Sequence, residues 1–423
     1  MSRSLMAVLA GTFTLRFSTG LTGGLLTYYL AQLPAHGGEN VTAVAFGALL
    51  ATFYAAELIL ATPFGLLSDR LGHHRVMQFG PFFGAAAVLI TWATTNLLVI
   101  GGTRVLEGSS TAASVPSILG FIAMATAGDE LLRGRMSARF EGATIAGLGA
   151  GFVVAGPLYD LIGRDGFVLN AGIYAISLAI YRFGVEEPPH ATAARAAHPG
   201  FSRYLAIVRS SHIWLLAPTW IAINATLALY TSQTVFQLVK EPNPKFSDQL
   251  LMGGFDPSQV SLGLGLGLIV FFAGLLFWGD RFKRFRRTTI ILFGVGGGAL
   301  LVAMAFLLNH SEGVPTPVRV IEVLGLGVGL FVLSGATPAA LGLLADVSEA
   351  FPDDRGAIMG LYSVFLAVGQ IAGSLIGGAA ADAKGLDGIF ITTVVLLVVA
   401  LVPLMHLRSF EHLVGATAET EPG

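Results

Sequence analysis

Four ionisable side chains stand inside long apolar runs, where charge is expensive: Arg16, Glu57, Arg104 and Glu107. A charge at the centre of a bilayer costs at least about 2.5–3.5 kcal/mol on insertion scales, so such residues face a cavity and have partners. A carboxylate in that setting takes up and releases a proton as its surroundings change, and a neighbouring arginine sets how readily it does so. At about 1.5 Å per residue, Arg16 lies roughly 16 Å from the start of its run and Glu107 roughly 15 Å from the start of its own. In a hydrocarbon core about 30 Å thick these depths coincide. Glu107 is therefore expected to pair with Arg16, or to share a water-filled cavity with it, as the proton-titrating group. Arg104 lies one turn from Glu107 on the same helix face, so a static Arg104–Glu107 pair is the competing arrangement. Glu57, with Tyr54 one turn earlier, is the alternative proton carrier, or else a brace for Arg16.

The elements that must hold these groups follow from composition. The chain has 423 residues, of which 54% are hydrophobic and 12% charged, and its mean hydropathy is +0.74. Soluble chains are about a quarter charged, so lipid must cover much of this surface. A net charge of −2 gives no basic surface for a nucleic-acid partner. There is no cysteine, and none of the nine histidines falls in the middle of an apolar run. Thiol chemistry, metal-ligand spacing within the helices and a histidine proton relay are thereby set aside, and neither a metal nor a cofactor is expected. An enzyme is the weakest reading.

Spanning helices need about 20 mainly apolar residues. Twelve such runs centre on 5–32, 43–64, 76–94, 97–125, 140–163, 166–184, 212–236, 260–278, 288–308, 317–345, 356–380 and 388–407. The fold class is an all-α integral membrane protein: twelve transmembrane helices in two pseudo-symmetric six-helix bundles. The expected division is a first bundle over 1–184, a linker over 185–211, a second bundle over 212–410 and a tail over 411–423. Arg and Lys crowd the loops of one side, among them Arg70, Arg75, Arg133, Arg135, Arg281, Arg284 and Arg286. By the positive-inside rule both termini and the linker are cytoplasmic, in a plasma (inner) membrane. The two halves echo each other. Asp69-Arg70 recurs as Asp280-Arg281, and Arg104-Val105-Leu106-Glu107 recurs as Arg319-Val320-Ile321-Glu322. Parallel six-helix repeats are a transporter arrangement, with the substrate site near the midplane. Arg319 and Glu322 are expected to lie too near the outer surface for a central role.

In the second half, Trp220, Asn224, Gln233, Tyr362 and Gln370, together with Tyr54 from the first, are expected to line the substrate cavity. Aromatics and amides without charge suit an uncharged or amphipathic compound. The glycines of the fifth run, Gly147, Gly151 and Gly156, with Pro157 after them, leave a face on which another helix can approach closely. In the loop after the second run, Gly65 and Gly72 permit close backbone approach and a tight turn. There Asp69 can accept from backbone N–H groups at a helix start, and Arg70 and Arg75 can bridge to acidic groups of a neighbouring helix end.

The run Gly65-Leu66-Leu67-Ser68-Asp69-Arg70-Leu71-Gly72-His73-His74-Arg75 resembles the G-x-x-x-D-R-x-G-R-K-R loop of the major facilitator superfamily, with two histidines in place of the basic pair. Arg104, Gly108 and Ala112 are similar to the R-x-x-x-G-x-x-x-A pattern of its proton-coupled members. Gly147, Gly149, Gly151 and Gly156-Pro157 resemble the antiporter motif of the twelve-helix drug/proton antiporters, although Leu158-Tyr159-Asp160 follows where that motif has a glycine pair. The resemblance implies a monomeric secondary transporter in the lipid bilayer. It would export a small hydrophobic or amphipathic molecule in exchange for protons, by rocking of two bundles, with Gly65, Asp69, Arg70, Gly72, Arg75, Asp280 and Arg281 as a conformational gate. Metabolite uptake by symport or uniport, and a non-transporting sensor or assembly factor of the same fold, are the alternatives.

Overall fold

The computed structural model describes residues 3–186, 213–349 and 355–416. Most of the expected linker and the last residues of the tail lie outside them. Among the described residues there are only helices, turns and connecting coil. The helices are α1 Arg3–Ala31, α2 Ala43–Leu71, α3 His73–Val76, α4 Phe79–Trp92, α5 Leu97–Ala125, α6 Glu130–Ile162 and α7 Gly166–Gly184. After the linker come α8 Ile213–Ala228, α9 Val235–Val239, α10 Pro257–Gly279, α11 Arg287–Asn309, α12 Thr316–Leu333, α13 Ala336–Glu349 and α14 Arg355–Ala416. α14 breaks at Lys384 and Gly385, so it forms two arms.

Eight stretches of the described chain are long and apolar enough to cross a membrane. The stretch holding α6 and α7 and the one holding both arms of α14 each supply two crossings. α4 and the segment from α8 to α9 supply the rest, which gives the expected twelve. Helix starts are set by short polar side chains. The Thr42 hydroxyl accepts from the Ala45 N–H at 3.1 Å before α2, the Asn96 carbonyl accepts from the Leu98 N–H at 2.9 Å before α5, and the Asp129 carboxylate accepts from the Leu132 N–H at 2.8 Å before α6. Each satisfies a backbone donor that a helix start leaves open.

The chain divides into two compact units. The first runs from the N-terminus through α7 and also takes in Leu238–Glu241 and Gly253–Gly265. In it α1 packs on α6 and α7, α2 on α5, and α4 on α5 and α7. Missing side chains make the tightest of these contacts: a Cβ on Gly147 would stand 2.6 Å from the Phe13 carbonyl and 2.9 Å from the Arg16 Cβ. Gly151 meets the backbone of Phe17 and Leu21 in the same way.

The second unit holds α8, Pro242–Met252 and the described residues from Leu266 onward. Here α8 packs on α14, and α11 on α12, α13 and α14. Its core gathers Trp220 and Ile223 of α8, Ile290 and Val295 of α11, Ala339 and Leu343 of α13, and Leu397 and Leu404 of α14. Between α8 and α9 the chain widens into a π turn, Leu229–Thr234.

Candidate functional site

The charged centre lies in the first unit. Arg104 and Glu107 are 2% and 3% exposed, and they form an ion pair across one turn of α5. Of the two arrangements open to Glu107, this is the one on its own helix. Arg16, on α1, is buried, and Glu57 of α2 lies within its electrostatic reach. Tyr54 lies within reach of Glu57, and both are half-buried. Gly108 lets the two helices meet, since a Cβ there would stand 2.7 Å from the Ala56 Cβ and 3.0 Å from the Glu57 nitrogen. The four expected ionisable residues are thus positioned by α1, α2 and α5, with small residues at the crossings.

A row on α7, named by no motif, completes this centre. Asn170, Tyr174, Ser177 and Tyr181 are all buried. The Asn170 amide donates to the Ser18 carbonyl at 3.0 Å and to the Thr22 hydroxyl at 2.8 Å, and the Ser177 hydroxyl donates to the Gly11 carbonyl at 3.0 Å. Tyr174 lies within electrostatic reach of both Arg16 and Arg104. The sequence did carry a signal: steps of four, three and four put these polar residues on one helix face.

The turn after α2 is built around Gly72, whose φ of +96° favours glycine. Gly65 does not make the close approach expected of it: its added Cβ would meet only the Pro116 Cβ, at an ordinary 3.7 Å. α3 also begins without a side-chain cap. Asp69, Arg70 and Arg75 are exposed. The two histidines in the place of the basic pair fold back onto the bundle. His73 Nδ1 lies 2.6 Å from the Ser68 hydroxyl, and His74 Nε2 donates to the Tyr181 carbonyl at 2.9 Å. In the second unit, Asp280 and Arg281 lie in a 3-10 turn, Asp280–Lys283, with the Arg281 guanidinium 4.5 Å above the Phe277 ring.

The Gly156-Pro157 segment of α6 is tied to Gly253–Gly265 of the same unit. The Ser261 hydroxyl accepts from the Gly156 N–H at 2.9 Å and from the Tyr28 hydroxyl at 2.7 Å, and donates to the Phe152 carbonyl at 3.1 Å. One donor and two acceptor sites are all that a hydroxyl has, and all are used. The residues that replace the glycine pair are also engaged. The Asp160 carboxylate accepts from the Ser258 N–H at 2.9 Å and from its hydroxyl, capping the start of α10. The Tyr159 hydroxyl lies 3.3 Å from His36 Nε2. Burial first, and then the Arg164 charge, hold the His36 pKa below the ordinary histidine value.

Of the expected cavity residues, Trp220, Asn224 and Gln233 are buried in the second unit and Gln370 is half-buried. The Tyr362 side chain lies outside the described residues. Gln233 stands in the π turn, a feature frequent at functional sites. A groove of about 340 Å³ between α11 and α14 is lined only by apolar residues such as Val302, Phe306, Phe390 and Val398, and none of the expected cavity residues lines it. The repeat of the charged centre diverges. Arg319 donates to the Ser311 carbonyl at 2.7 Å, and Glu322 is buried.

Twelve apolar crossings with charged and amide side chains held inside the helical units define a multi-pass membrane transporter. The chain belongs to the Major Facilitator Superfamily, whose sequence model matches residues 8–337 and 246–420. It is 22% identical to the quinolone resistance protein NorA of Staphylococcus aureus (strain MSSA476), over 90% of this chain and 91% of that one. It is 25% identical to multidrug resistance protein 2 of Bacillus subtilis (strain 168), over 79% of this chain and 80% of that one. Among solved structures, the nucleoside transporter NupG superposes with a TM-score of 0.70 at 14% identity, covering 100% of both chains. A bacterial homologue of the human lysosomal transporter Spinster superposes with a TM-score of 0.71 at 12% identity, covering 99% of this chain and 98% of that one. At those identities the two structures speak for the fold alone.

Proposed function

We propose that the protein is a monomeric plasma-membrane exporter of small hydrophobic or amphipathic compounds, driven by protons and working by alternating access, with both termini cytoplasmic. The observation that carries this reading is the buried centre of the first unit. There a buried carboxylate, Glu107, and a half-buried one, Glu57, stand with two buried arginines, Arg16 and Arg104, on helices long and apolar enough to cross a membrane. A scaffold has no reason to hold such charges at their insertion cost. The similarity to two drug-resistance proteins supports export, and the buried aromatic and amide residues Trp220, Asn224 and Gln233 suit a compound without net charge. Glu57 is the proton carrier in this reading, because Glu107 already has its counter-ion on the same helix turn. Asp69, Arg70, Arg75, Asp280 and Arg281 are the gate.

The test is flux in proteoliposomes with an imposed pH gradient, using a quinolone, a nucleoside and a small peptide as probes. Quinolone movement driven by the gradient, lost in Glu57→Gln, is the expected result. Gradient-driven nucleoside or peptide accumulation without quinolone flux would replace export by uptake. Full coupling in Glu57→Gln would remove that residue from the proton path.

A further inference from the structure

At the end of the second unit opposite the Asp280–Lys283 turn, two turns and the start of the second arm of α14 bring Asp248, His310 and Asp387 together. One oxygen or nitrogen ligand atom of each lies within 4.8 Å of the others. Nothing in the transport chemistry uses them. His310 Nε2 is 3.0 Å from each oxygen of Asp387. Both side chains are partly exposed and Asp248 is exposed, so an ion can reach them.

The backbone around these groups is pinned by two buried amides. The Asn309 side chain donates to Asp387 Oδ1 at 3.0 Å and accepts from the Leu251 N–H at 3.1 Å. The Gln249 side chain donates to the Lys384 carbonyl at 3.0 Å and accepts from the Asp387 N–H at 3.3 Å. Gly385, at a φ of +62°, makes room for this, since a Cβ there would stand 2.7 Å from Gln249 Oε1. Gln249, next to Asp248, and Asn309, next to His310, thus both hold Asp387, and hydrogen bonds of this kind orient ligands around a metal.

We propose that Asp248, His310 and Asp387 form a site for a divalent transition metal of the zinc class, which staples these three segments together. One imidazole and two carboxylates make a borderline ligand set, and a fourth position stays open for water. Around a tetrahedral ion with ligand distances of about 2.0–2.2 Å, ligand atoms stand about 3.4 Å apart. The His310–Asp387 pair is already near that separation. Asp248, within 4.8 Å of the other two, matches it by moving inward by at most about 1.4 Å, and its exposure allows that shift. Magnesium is disfavoured, because it prefers an octahedral shell of oxygens and keeps its waters.

The experiment uses the purified full-length protein in detergent, stripped of metal and titrated with zinc chloride or magnesium chloride, with calorimetry and thermal melting as readouts. One saturable zinc per chain, with a higher melting temperature and no response to magnesium, is expected. Asp248→Asn should weaken zinc binding at least tenfold with the metal-free melting temperature unchanged, and Asp248→His should restore it. The site is refuted if the wild type binds no zinc, or if Asp248→Asn and His310→Gln both bind it as the wild type does. In the second case the ion sits on other histidines.

Discussion

Gly108→Ala adds one methyl group where α5 crosses α2, and the structure gives its consequence. The new Cβ would stand 2.7 Å from the Ala56 Cβ and 3.0 Å from the Glu57 nitrogen, and closer still to the Phe53 carbonyl oxygen. Carbon atoms rest at about 3.5–4.0 Å, so the helices must separate by roughly 1 Å. Two of the three atoms met belong to backbone, and no rotamer change moves them aside. Overpacking of this kind costs about 1–3 kcal/mol, and the fixed backbone puts this site at the upper end. For a unit of this size that corresponds to a melting temperature lower by about 6–12 °C. Gly102, six residues earlier on the same helix, has nothing within 4 Å of its added Cβ. Gly102→Ala should be neutral or stabilising by up to about 1 kcal/mol. Thermal melting of the two variants in detergent, beside gradient-driven flux, makes the comparison. Because Glu57 lies on the displaced wall, Gly108→Ala should also lose flux in the fraction that stays folded. Equal melting temperatures for the two variants would refute the argument that this crossing is held at backbone contact.

Three further outcomes follow from single contacts. Glu107→Ala leaves Arg104 buried without its counter-ion and should cost about 3–5 kcal/mol, whereas Arg104→Leu with Glu107→Leu should be nearly neutral in stability; melting of the single and double variants separates the two effects. Asp160→Ala removes the cap from the Ser258 N–H and should cost about 1 kcal/mol, while Asp160→Asn keeps the acceptor and most of the stability. His36 has a folded-state pKa below its unfolded value, so its contribution is full above about pH 6.5 and is lost as pH falls through the depressed pKa. The acid limb of the melting curve should therefore flatten in His36→Gln, and an unchanged limb would exclude His36 as its source.

The twelve crossings were legible because hydrocarbon thickness sets a length that composition must fill, and the apolar runs of this chain fill it. The Arg104–Glu107 pair was legible as one of two arrangements, since three residues along a helix always share a face. The pairing across helices stayed open between Glu107 and Glu57. Which carboxylate meets Arg16 depends on how α1, α2 and α5 cross, and those crossings are set by Gly108, Gly147 and Gly151, whose lack of a side chain says where a neighbour comes close but not which neighbour. The same limit explains Tyr159 and Asp160. As sequence they read as a departure from a glycine pair; in the fold Asp160 caps a helix that begins about a hundred residues later, at Pro257. The internal repeat shows the limit from the other side. Arg319 and Glu322 repeat the spacing of Arg104 and Glu107, yet Arg319 is drawn to the Ser311 carbonyl of the loop before α12. Arg104 instead pairs with the carboxylate one turn along α5. The same spacing thus yields two arrangements: Arg104 faces its own carboxylate, while Arg319 faces a backbone carbonyl.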